Sequence, residues 1–383
     1  SGVDSVEVTG DNEVTVNLKE PNAAFLAMLT DMGNIIVPQE EVDGWGDKFG
    51  QHIVGTGPFT LTKFQSGQQI DLKTNKAYWG NKSKLDGVSF RIIADANMMS
   101  NSLLSGDIDI ATDVRGQERQ VVEKAENVKL QSVAGFSTVY LDMNMKKGPT
   151  TDPKVREAMY TATNVKDIVD GVNQWGGAEA SYSPLPKGSW GYEEALKDLV
   201  PAYDPKKAKE ILSETDYADG FSINLYCADN RVAYATIFQE QMKKNLNIDV
   251  KIVTQEWGTY SNTVSSGKAD LNIGGWSWYP DPYFYLNQEF HSDSIGSLGN
   301  GRGYSNKEVD ELLDKAMSST ADQDERAKIY QDALQLIMDD HSRIELELQE
   351  TAAGVSDKVS GFKVNPYNSI ILVDDNINVG LKQ

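Results

Sequence analysis

The sequence predicts an α/β protein of two lobes, and three observations support this. The chain has 383 residues, which is more than one hydrophobic core usually holds. Hydrophobic residues make up 39% of it, enough for well-buried cores. Between residues 221 and 276, strand and helix patterns alternate, which is typical of a doubly wound sheet with parallel strands.

The first part of the chain contains a predicted hairpin and a weaker α/β pattern. The segment SGVDSVEVTGDNEVTVNLKEP alternates apolar and polar residues around a turn at Asp11 and Asn12. Further on, GVSFRII predicts a strand, DANMMSNSLLSG a helix and DIDIA another strand. Gly106 suits the left-handed residue that closes a helix. These segments predict a second, smaller α/β unit.

Helix starts are clear beyond residue 150. Asp152 before Pro153, and Asp204 before Pro205, each place an N-cap before a proline at the first helical position. A capping box begins at Ser305 in SNKEVDELLDKAM. The apolar residues that follow each start keep helical spacing, which predicts helices packed on a core.

The alternating region places three strand ends close together. It contains the strands FSINLY, IDVKIV and ADLNIGG, separated by the helices YATIFQEQMKKNL and EWGTYSNTVSS. Ligands of such sheets bind beyond the carboxyl ends of the strands. Those ends are residues 227–230, 254–257 and 274–276, so we expect a ligand site there.

Aromatic residues are concentrated at the third strand end, in GGWSWYPDPYFYL, residues 274–286. Pro280 and Pro282 forbid a regular helix across this stretch, which predicts a loop. We expect Trp257, Trp276 and Trp278 to face a cleft between the lobes, where their rings would stack on a ligand. Packing in the protein's own core is the alternative interpretation of each ring.

The sequence offers little for catalysis or metal binding. It has three scattered histidines and one cysteine, and no nucleophile elbow, phosphate loop or paired metal ligands. Its formal charge of -21 argues against nucleic acid or an anionic membrane as partner. No apolar run is long enough to span a bilayer. A carboxylate-pair hydrolase stays open, because acidic residues are abundant.

Several motifs resemble the extracellular solute-binding proteins of family 5, which serve oligopeptide, dipeptide and nickel ABC importers. The resemblance is carried by GTGPFTLTKFQSGQQIDLKTNKAYWGNKSKLDGVSFRII, LLSGDIDIA, YLDMNMKKGPTTDPKVREAMYTATNVKDIV and LNIDVKIVTQEWGTYSNTVSSGKADLNIGGW. It continues in YDPKKAKEILSE and YSNKEVDELLDKAMSSTADQDERAKIYQDALQLIMDD. The order and spacing of these motifs cover essentially the whole chain.

The family implies a two-lobe periplasmic-binding-protein fold, a type II-like clamshell. We expect residues 1–184, completed by 363–383, to form the first lobe, and residues 185–362 the second. The Pro-, Gly- and Ser-rich segment 181–192 is the expected crossing. The resemblance also implies an N-terminally truncated chain that lacks the start of the first lobe, the family's extra small domain and the export signal.

Ligand-binding roles transfer from the family residue by residue. Peptide-binding members use an asparagine at the position of Asn144, the tryptophan of QEW, here Trp257, and a glycine–tryptophan edge, here Gly275 and Trp276. They hold the peptide's amino terminus with an aspartate where this chain has Tyr279. The expected ligand-binding residues are Asn144, Trp257, Gly275, Trp276, Trp278, Tyr279 and Asp281.

The expected function is non-catalytic capture of an extracellular solute, most readily a peptide, for an ABC importer. The expected partners are the permease subunits, and the expected location is the periplasm or a lipid anchor at the cell surface. We expect a monomer without cofactor. A carbohydrate or nickel-complex binder of the same family, and a carboxylate-pair hydrolase, are the alternatives.

Overall fold

The structure, a computed structural model, describes residues 2–382 without the side chain of Met32. The chain divides into two compact units. Unit 1 comprises the chain up to Leu29, Phe136–Gln174 and Ala178–Gln349, and unit 2 comprises Thr30–Gly135, Trp175–Gly177 and the chain from Glu350 onward. The expected lobes divide the chain at other points than these units do. The first expected lobe is 1–184 with 363–383, and the second is 185–362. As lobe boundaries they stay a prediction.

The strands are β1 Val3–Gly10, β2 Glu13–Leu18, β3 Phe59–Gln65, β4 Gln69–Thr74, β5 Gly87–Arg91, β6 Ile110–Thr112, β7 Val128–Met143, β8 Ala178–Ala180, β9 Ser222–Cys227, β10 Asp249–Thr254, β11 Leu271–Ser277, β12 Arg343–Ser356, β13 Val359–Ser360 and β14 Gly380–Leu381. The helices are α1 Phe25–Met28, α2 Gln39–Trp45, α3 Ala96–Ser105, α4 Gln117–Glu123, α5 Pro153–Thr161, α6 Val165–Val172, α7 Pro205–Ser213, α8 Val232–Leu246, α9 Trp257–Ser265, α10 Tyr283–Phe290, α11 Lys307–Ser318 and α12 Gln323–Asp339.

The main sheet of unit 1 confirms the predicted doubly wound region. Its strand order is β10-β9-β11-β7-β12, with β8 on β12. Strand β9 runs parallel to both β10 and β11, and α8 and α9 are the crossover helices. Strand β7 pairs antiparallel with β11, from Leu271 opposite Met143 to Ser277 opposite Ser137. The carboxyl ends of three parallel strands therefore meet at one edge.

The helix starts of unit 1 follow the predicted caps with one exception. Asp152 accepts a hydrogen bond from the Lys154 amide at 2.9 Å, and Asp204 caps α7 in the same way. Helix α11 is capped by Asn306, which accepts from the Glu308 amide at 3.1 Å. The prediction of Ser305 as that cap is therefore wrong by one residue. Asn caps as well as Ser does, so composition alone could not separate them.

The aromatic stretch 274–286 is not one loop, so this prediction is wrong at both ends and holds only for residues 278–282. Residues up to Ser277 belong to β11, and α10 begins directly after Pro282. A proline at a helix start costs no hydrogen bond, because the first amides of a helix have no intrahelical acceptor. Tyr285 and Leu286 are fully buried with α11 and α12, so for them core packing is the correct interpretation.

Unit 2 contains the second predicted α/β pattern, but in two separate sheets. Strands β3, β4 and β5 form an antiparallel sheet, while β6 pairs antiparallel with the end of β12. The predicted strand, helix and strand are thus β5, α3 and β6, yet the two strands do not share a parallel sheet. Gly106 closes α3 with a φ of 82°, as predicted.

The expected crossing segment 181–192 lies inside unit 1. The chain changes units instead next to Leu29, Phe136 and Gln349, and around residues 174–178. Within residues 2–382, no helix combines the length and the apolarity that crossing a bilayer requires.

Candidate ligand-binding site

A pocket of about 230 Å³ opens at the carboxyl edge of β9, β10 and β11. Every residue that lines it belongs to unit 1. The lining residues are Ser137, Thr138, Tyr140, Ala228, Asn230, Arg231, Trp257, Tyr260, Asn272, Ile273, Gly274, Gly275, Trp276, Ser277, Leu298 and Gln349. The pocket therefore lies where the doubly wound pattern predicts a ligand.

Two tryptophans form aromatic walls. Trp257 is the first residue of α9 and is 58% exposed, because Glu256 caps the helix and leaves the ring at the edge of the sheet. Its ring centroid lies 5.7 Å from that of Tyr260. Trp276 is half-buried, and its indole nitrogen donates to the Phe284 carbonyl at 2.7 Å. One ring is thus fixed by a hydrogen bond, and the other is free to cover a ligand.

Arg231 is the single charged side chain that lines the pocket. It lies four residues beyond the end of β9 and directly before α8, and its guanidinium carbon lies 5.5 Å from the ring centroid of Tyr234. Within residues 2–382 it forms no ion pair with a carboxylate. A Cβ atom at Gly275 would lie 2.9 Å from the Thr138 carbonyl oxygen and 3.0 Å from Arg231 Nη2, so the glycine makes room for both groups. An unpaired guanidinium beside apolar walls is suited to an anionic group.

Tyr140 provides a hydroxyl at the pocket floor. Its side chain is buried on β7, and a Cβ atom at Gly274 of the neighbouring strand would lie 2.6 Å from its ring. Burial, and next the charge of Glu289, raises the pKa of Tyr140, so the phenol stays protonated. Its hydroxyl donates to no group among residues 2–382. It is therefore a neutral donor that a ligand can use.

A cluster of buried charged residues packs against the ring of Tyr140. The guanidinium carbon of Arg343 lies 3.4 Å from the ring centroid of Tyr140. Arg343 Nε donates to Asp142 Oδ1 at 2.7 Å, and its Nη2 forms an ion pair with Glu289 Oε1 at 2.8 Å, at an angle that is not that of a hydrogen bond. Burial raises the pKa of Glu345 to about 8 although Arg343 opposes the shift.

The pocket lacks the side chains that hydrolysis or metal binding would need. Its lining contains no aspartate, glutamate, histidine or cysteine. Among residues 2–382, no group of three or more such residues could hold a metal ion. A glycosidase would need two carboxyl groups facing each other across the pocket. The arrangement is therefore suited to binding.

The model of bacterial extracellular solute-binding proteins, family 5 (middle region), matches residues 1–297. The chain belongs to this family. Membership confirms the family and the fold class expected from the motifs, and it makes the protein a family 5 solute-binding protein and not an enzyme. The hydrolase alternative is thereby excluded. The family also places the protein outside the cytoplasm.

Individual relatives match most of the chain. A probable D,D-dipeptide-binding periplasmic protein of Escherichia coli is 31% identical over 372 residues, covering 94% of this chain and 70% of that protein. The structure of HbpA2 from Haemophilus parasuis has a TM-score of 0.88 at 26% identity, covering 100% of this chain and 76% of its own. The ABC transporter-associated protein DppA from Helicobacter pylori, in complex with the peptide STSA, has a TM-score of 0.80 at 29% identity, covering 100% and 74%.

Three of the expected ligand-binding residues of this family 5 protein meet in the pocket. These are Trp257, Gly275 and Trp276. Trp278 is 40% exposed and stacks 6.5 Å from Trp276, but it does not line the pocket. Tyr279 packs against the core around α10 to α12. Ligand contact by Trp278 and Tyr279 stays a prediction that this pocket does not support.

Asn144 and Asp281 lie elsewhere, and both have structural partners. Asn144 is buried, and its amide donates to the Gly267 and Ala269 carbonyls at 3.1 and 2.7 Å, which ties the end of β7 to the turn before β11. Asp281 is 6% exposed, accepts from the Tyr283 amide at 3.0 Å and lies 3.6 Å from Arg326. Its expected role in ligand binding lacks support here, because the buried carboxylate already accepts from the first amide of α10 and lies beside Arg326.

The sequence reasoning missed Arg231 and Tyr140. Arg231 comes one residue after the strand end 227–230 that the alternating pattern placed at the ligand edge, so this signal was close at hand. Tyr140 enters the pocket only because β7 pairs with β11. No local pattern around Tyr140 indicates that pairing.

Proposed function

We propose that this protein captures a short peptide in the described pocket and delivers it to an ABC importer. The observation that carries this proposal is the unpaired Arg231 guanidinium between aromatic walls. Although the whole chain has a formal charge of -21, the pocket lining contains a cation and no carboxylate, which favours an anionic group on the ligand. A peptide has such a group in its terminal carboxylate.

The strand edge at the pocket supports a peptide backbone as ligand. Strand β11 pairs with β9 only through Leu271 and Asn272, whereas its pairing with β7 continues to Ser277. Beyond Asn272 one edge of β11 is therefore left without a strand partner among the described residues. Extended peptides bind such edges through main-chain hydrogen bonds. The glycines at 274 and 275 allow a second backbone to come close.

The pocket also favours a short ligand with side chains to cover. Its volume of about 230 Å³ is small beside the roughly 300–1,000 Å³ of pockets for drug-sized ligands. Trp257 exposes enough of its ring to pack on an apolar or aromatic side chain. The relatives from Escherichia coli and Helicobacter pylori are described with dipeptide and peptide ligands, respectively, which supports the same ligand class.

Calorimetry with one ligand from each class tests the proposal. The probes are the dipeptide Ala-Phe, its carboxyl-terminal amide, a disaccharide and nickel–histidine. We expect Ala-Phe to bind and the amide to bind more weakly by a factor of roughly 10 to 150, because a hydrogen bond to a charged group is worth about 1.5–3 kcal/mol. Binding of the disaccharide or the nickel complex, without any peptide binding, would establish one of the alternatives instead.

An arginine variant connects the affinity to the pocket. Arg231→Gln removes the charge and should bind Ala-Phe and its amide with equal, low affinity. Arg115→Gln is the control, since Arg115 lies in unit 2 and is 60% exposed. We expect the control to bind like the wild type. An unchanged preference for the free carboxylate in Arg231→Gln would contradict the assignment of Arg231.

Delivery to an importer needs a separate measurement. We propose the permease subunits of an ABC transporter as the protein partners, with the binding protein acting as a monomer in the periplasm or at the cell surface. Uptake of labelled Ala-Phe by cells that carry or lack the gene tests this. If the protein binds Ala-Phe in vitro but uptake is equal with and without the gene, the proposal of peptide capture stands and the proposal of delivery to an importer is contradicted.

A further inference from the structure

Glu347 lies on β12 with no exposed surface, behind the pocket and not among its lining residues. Its Oε1 accepts hydrogen bonds from the Tyr234 hydroxyl at 2.6 Å and from the Gln349 amide at 2.9 Å. Its Oε2 accepts one from Asn173 Nδ2 at 2.6 Å. Among residues 2–382, no lysine, arginine or histidine forms an ion pair with it. Because a buried carboxylate without a basic partner is costly, its position calls for an explanation.

Tyr234 connects this carboxylate to Arg231. One face of the Tyr234 ring has the Arg231 guanidinium carbon 5.5 Å from its centroid, while the hydroxyl donates to Glu347. A hydrogen bond to a carboxylate makes the phenol ring richer in electrons, which strengthens its attraction for a cation. A carboxylate in direct contact would occupy the N–H groups of the guanidinium. Bound to the hydroxyl end of Tyr234 and not to the guanidinium, Glu347 strengthens the attraction of the ring for Arg231 and leaves those N–H groups for a ligand.

Gln349 is oriented by the same carboxylate. It follows Glu347 by two residues on β12, so both side chains lie on one face of the strand. A carboxylate only accepts hydrogen bonds, so the NH₂ end of the Gln349 amide has to face Glu347. The carbonyl end is then the part of this amide that can accept a hydrogen bond from a ligand. Gln349 lines the pocket, so this acceptor is available there.

We propose that Glu347 is the positioning residue of this pocket. It holds Arg231 and Gln349 so that they bind a carboxylate and an N–H donor of one ligand. A peptide carries both groups, and in this respect the proposal rests on the proposed function. The selection for a carboxylate is a property of the oriented pair and not of the arginine alone.

The first test needs no ligand. Selective NMR of the arginine Nε–Hε groups reports how firmly the Arg231 guanidinium is held, with the signal assigned by its loss in Arg231→Lys. We expect a restrained signal in the wild type and an averaged signal, like that of an exposed arginine, in Glu347→Gln. Asp340→Asn is the matched control, since Asp340 accepts hydrogen bonds from a tyrosine hydroxyl and an asparagine amide at 2.7 and 2.9 Å outside the pocket.

The second test measures selectivity by calorimetry. The ratio of Kd values for Ala-Phe amide and Ala-Phe should fall at least fivefold in Glu347→Gln and stay at the wild-type value in Asp340→Asn. A role in folding alone would lower stability without changing this ratio. If Glu347→Gln does not fold, Tyr234→Phe removes only the hydroxyl that donates to Glu347, and the same two changes are expected in smaller measure.

The outcomes separate this proposal from the proposed function. A restrained Arg231 signal and an unchanged ratio in Glu347→Gln, or in Tyr234→Phe where the first does not fold, would overturn the role of Glu347. If no peptide binds the wild type, the proposed function fails, and the NMR comparison still decides whether Glu347 positions Arg231.

Discussion

Replacing Glu345 by glutamine should change how the stability of the protein depends on pH. Glu345 is buried on β12, with its Oε1 4.0 Å from Arg343 Nη1, and the charges of Glu289 and Asp142 act on it together with that of Arg302. Burial is the largest cause that raises its pKa from 4.5 to about 8. The folded protein therefore keeps this carboxyl group protonated at neutral pH, where the unfolded chain has lost the proton.

The sign and size of the effect follow from this difference in protonation. Stability from this group is fully present below pH 4.5 and is lost as pH rises towards about 8. The loss is about 1.4 kcal/mol per pH unit, or about 3 kcal/mol between pH 5 and 7. Glutamine cannot ionise, so the unfolding free energy of Glu345→Gln minus that of the wild type should rise by these amounts.

Urea unfolding at pH 5, 6, 7 and 8 measures this difference, and any constant cost of the substitution cancels in the comparison across pH. Ser342→Ala is the control, because it changes a buried neighbour that does not titrate in this range. We expect a flat difference for the control. If the difference in unfolding free energy between Glu345→Gln and the wild type does not change with pH, the reasoning is refuted. That result would mean that the folded protein holds the carboxylate in ionised form.

Three further substitutions distinguish pocket residues from structural ones. Gly275→Ala should lower the unfolding free energy by about 1–3 kcal/mol, because its Cβ would press on the Thr138 carbonyl oxygen, and should weaken peptide binding, because it would displace Arg231. Gly57→Ala is the control for both effects and should cause neither, because no atom lies within 4 Å of its Cβ. Trp257→Ala should weaken binding and leave urea unfolding within about 0.5 kcal/mol, since the ring is 58% exposed. Asp281→Asn should lower stability by at least about 1 kcal/mol without changing the Kd measured by calorimetry; a Kd raised tenfold would restore Asp281 to the binding site.

The local patterns in the sequence predicted the scaffold of the site. Alternation of strand and helix between residues 221 and 276 is a short-range signal, and it gave the parallel strands β9, β10 and β11 and the edge where their carboxyl ends meet. Asp152 and Asp204 cap their helices as predicted, because capping depends on neighbouring residues. Trp257 follows β10 and Trp276 lies near the end of β11, so both line the pocket at this edge.

Contacts between distant parts of the chain could not be predicted in this way. Tyr140 and Thr138 line the pocket only through the pairing of β7 with β11, which joins residues far apart in sequence. Asp281 was expected at the ligand site, since it lies in the aromatic stretch that follows the third strand end. Its burial against Arg326 on α12 is a tertiary contact that the local sequence does not indicate.

A crystal structure of the protein with bound Ala-Phe tests the central claim most directly, namely that Arg231 binds the ligand's carboxylate in a pocket of unit 1. We predict a carboxylate oxygen within about 2.7–2.9 Å of a guanidinium nitrogen of Arg231, with the peptide backbone along the open edge of β11. A peptide whose carboxylate lies elsewhere, with Arg231 facing solvent or another group of the ligand, would contradict the account.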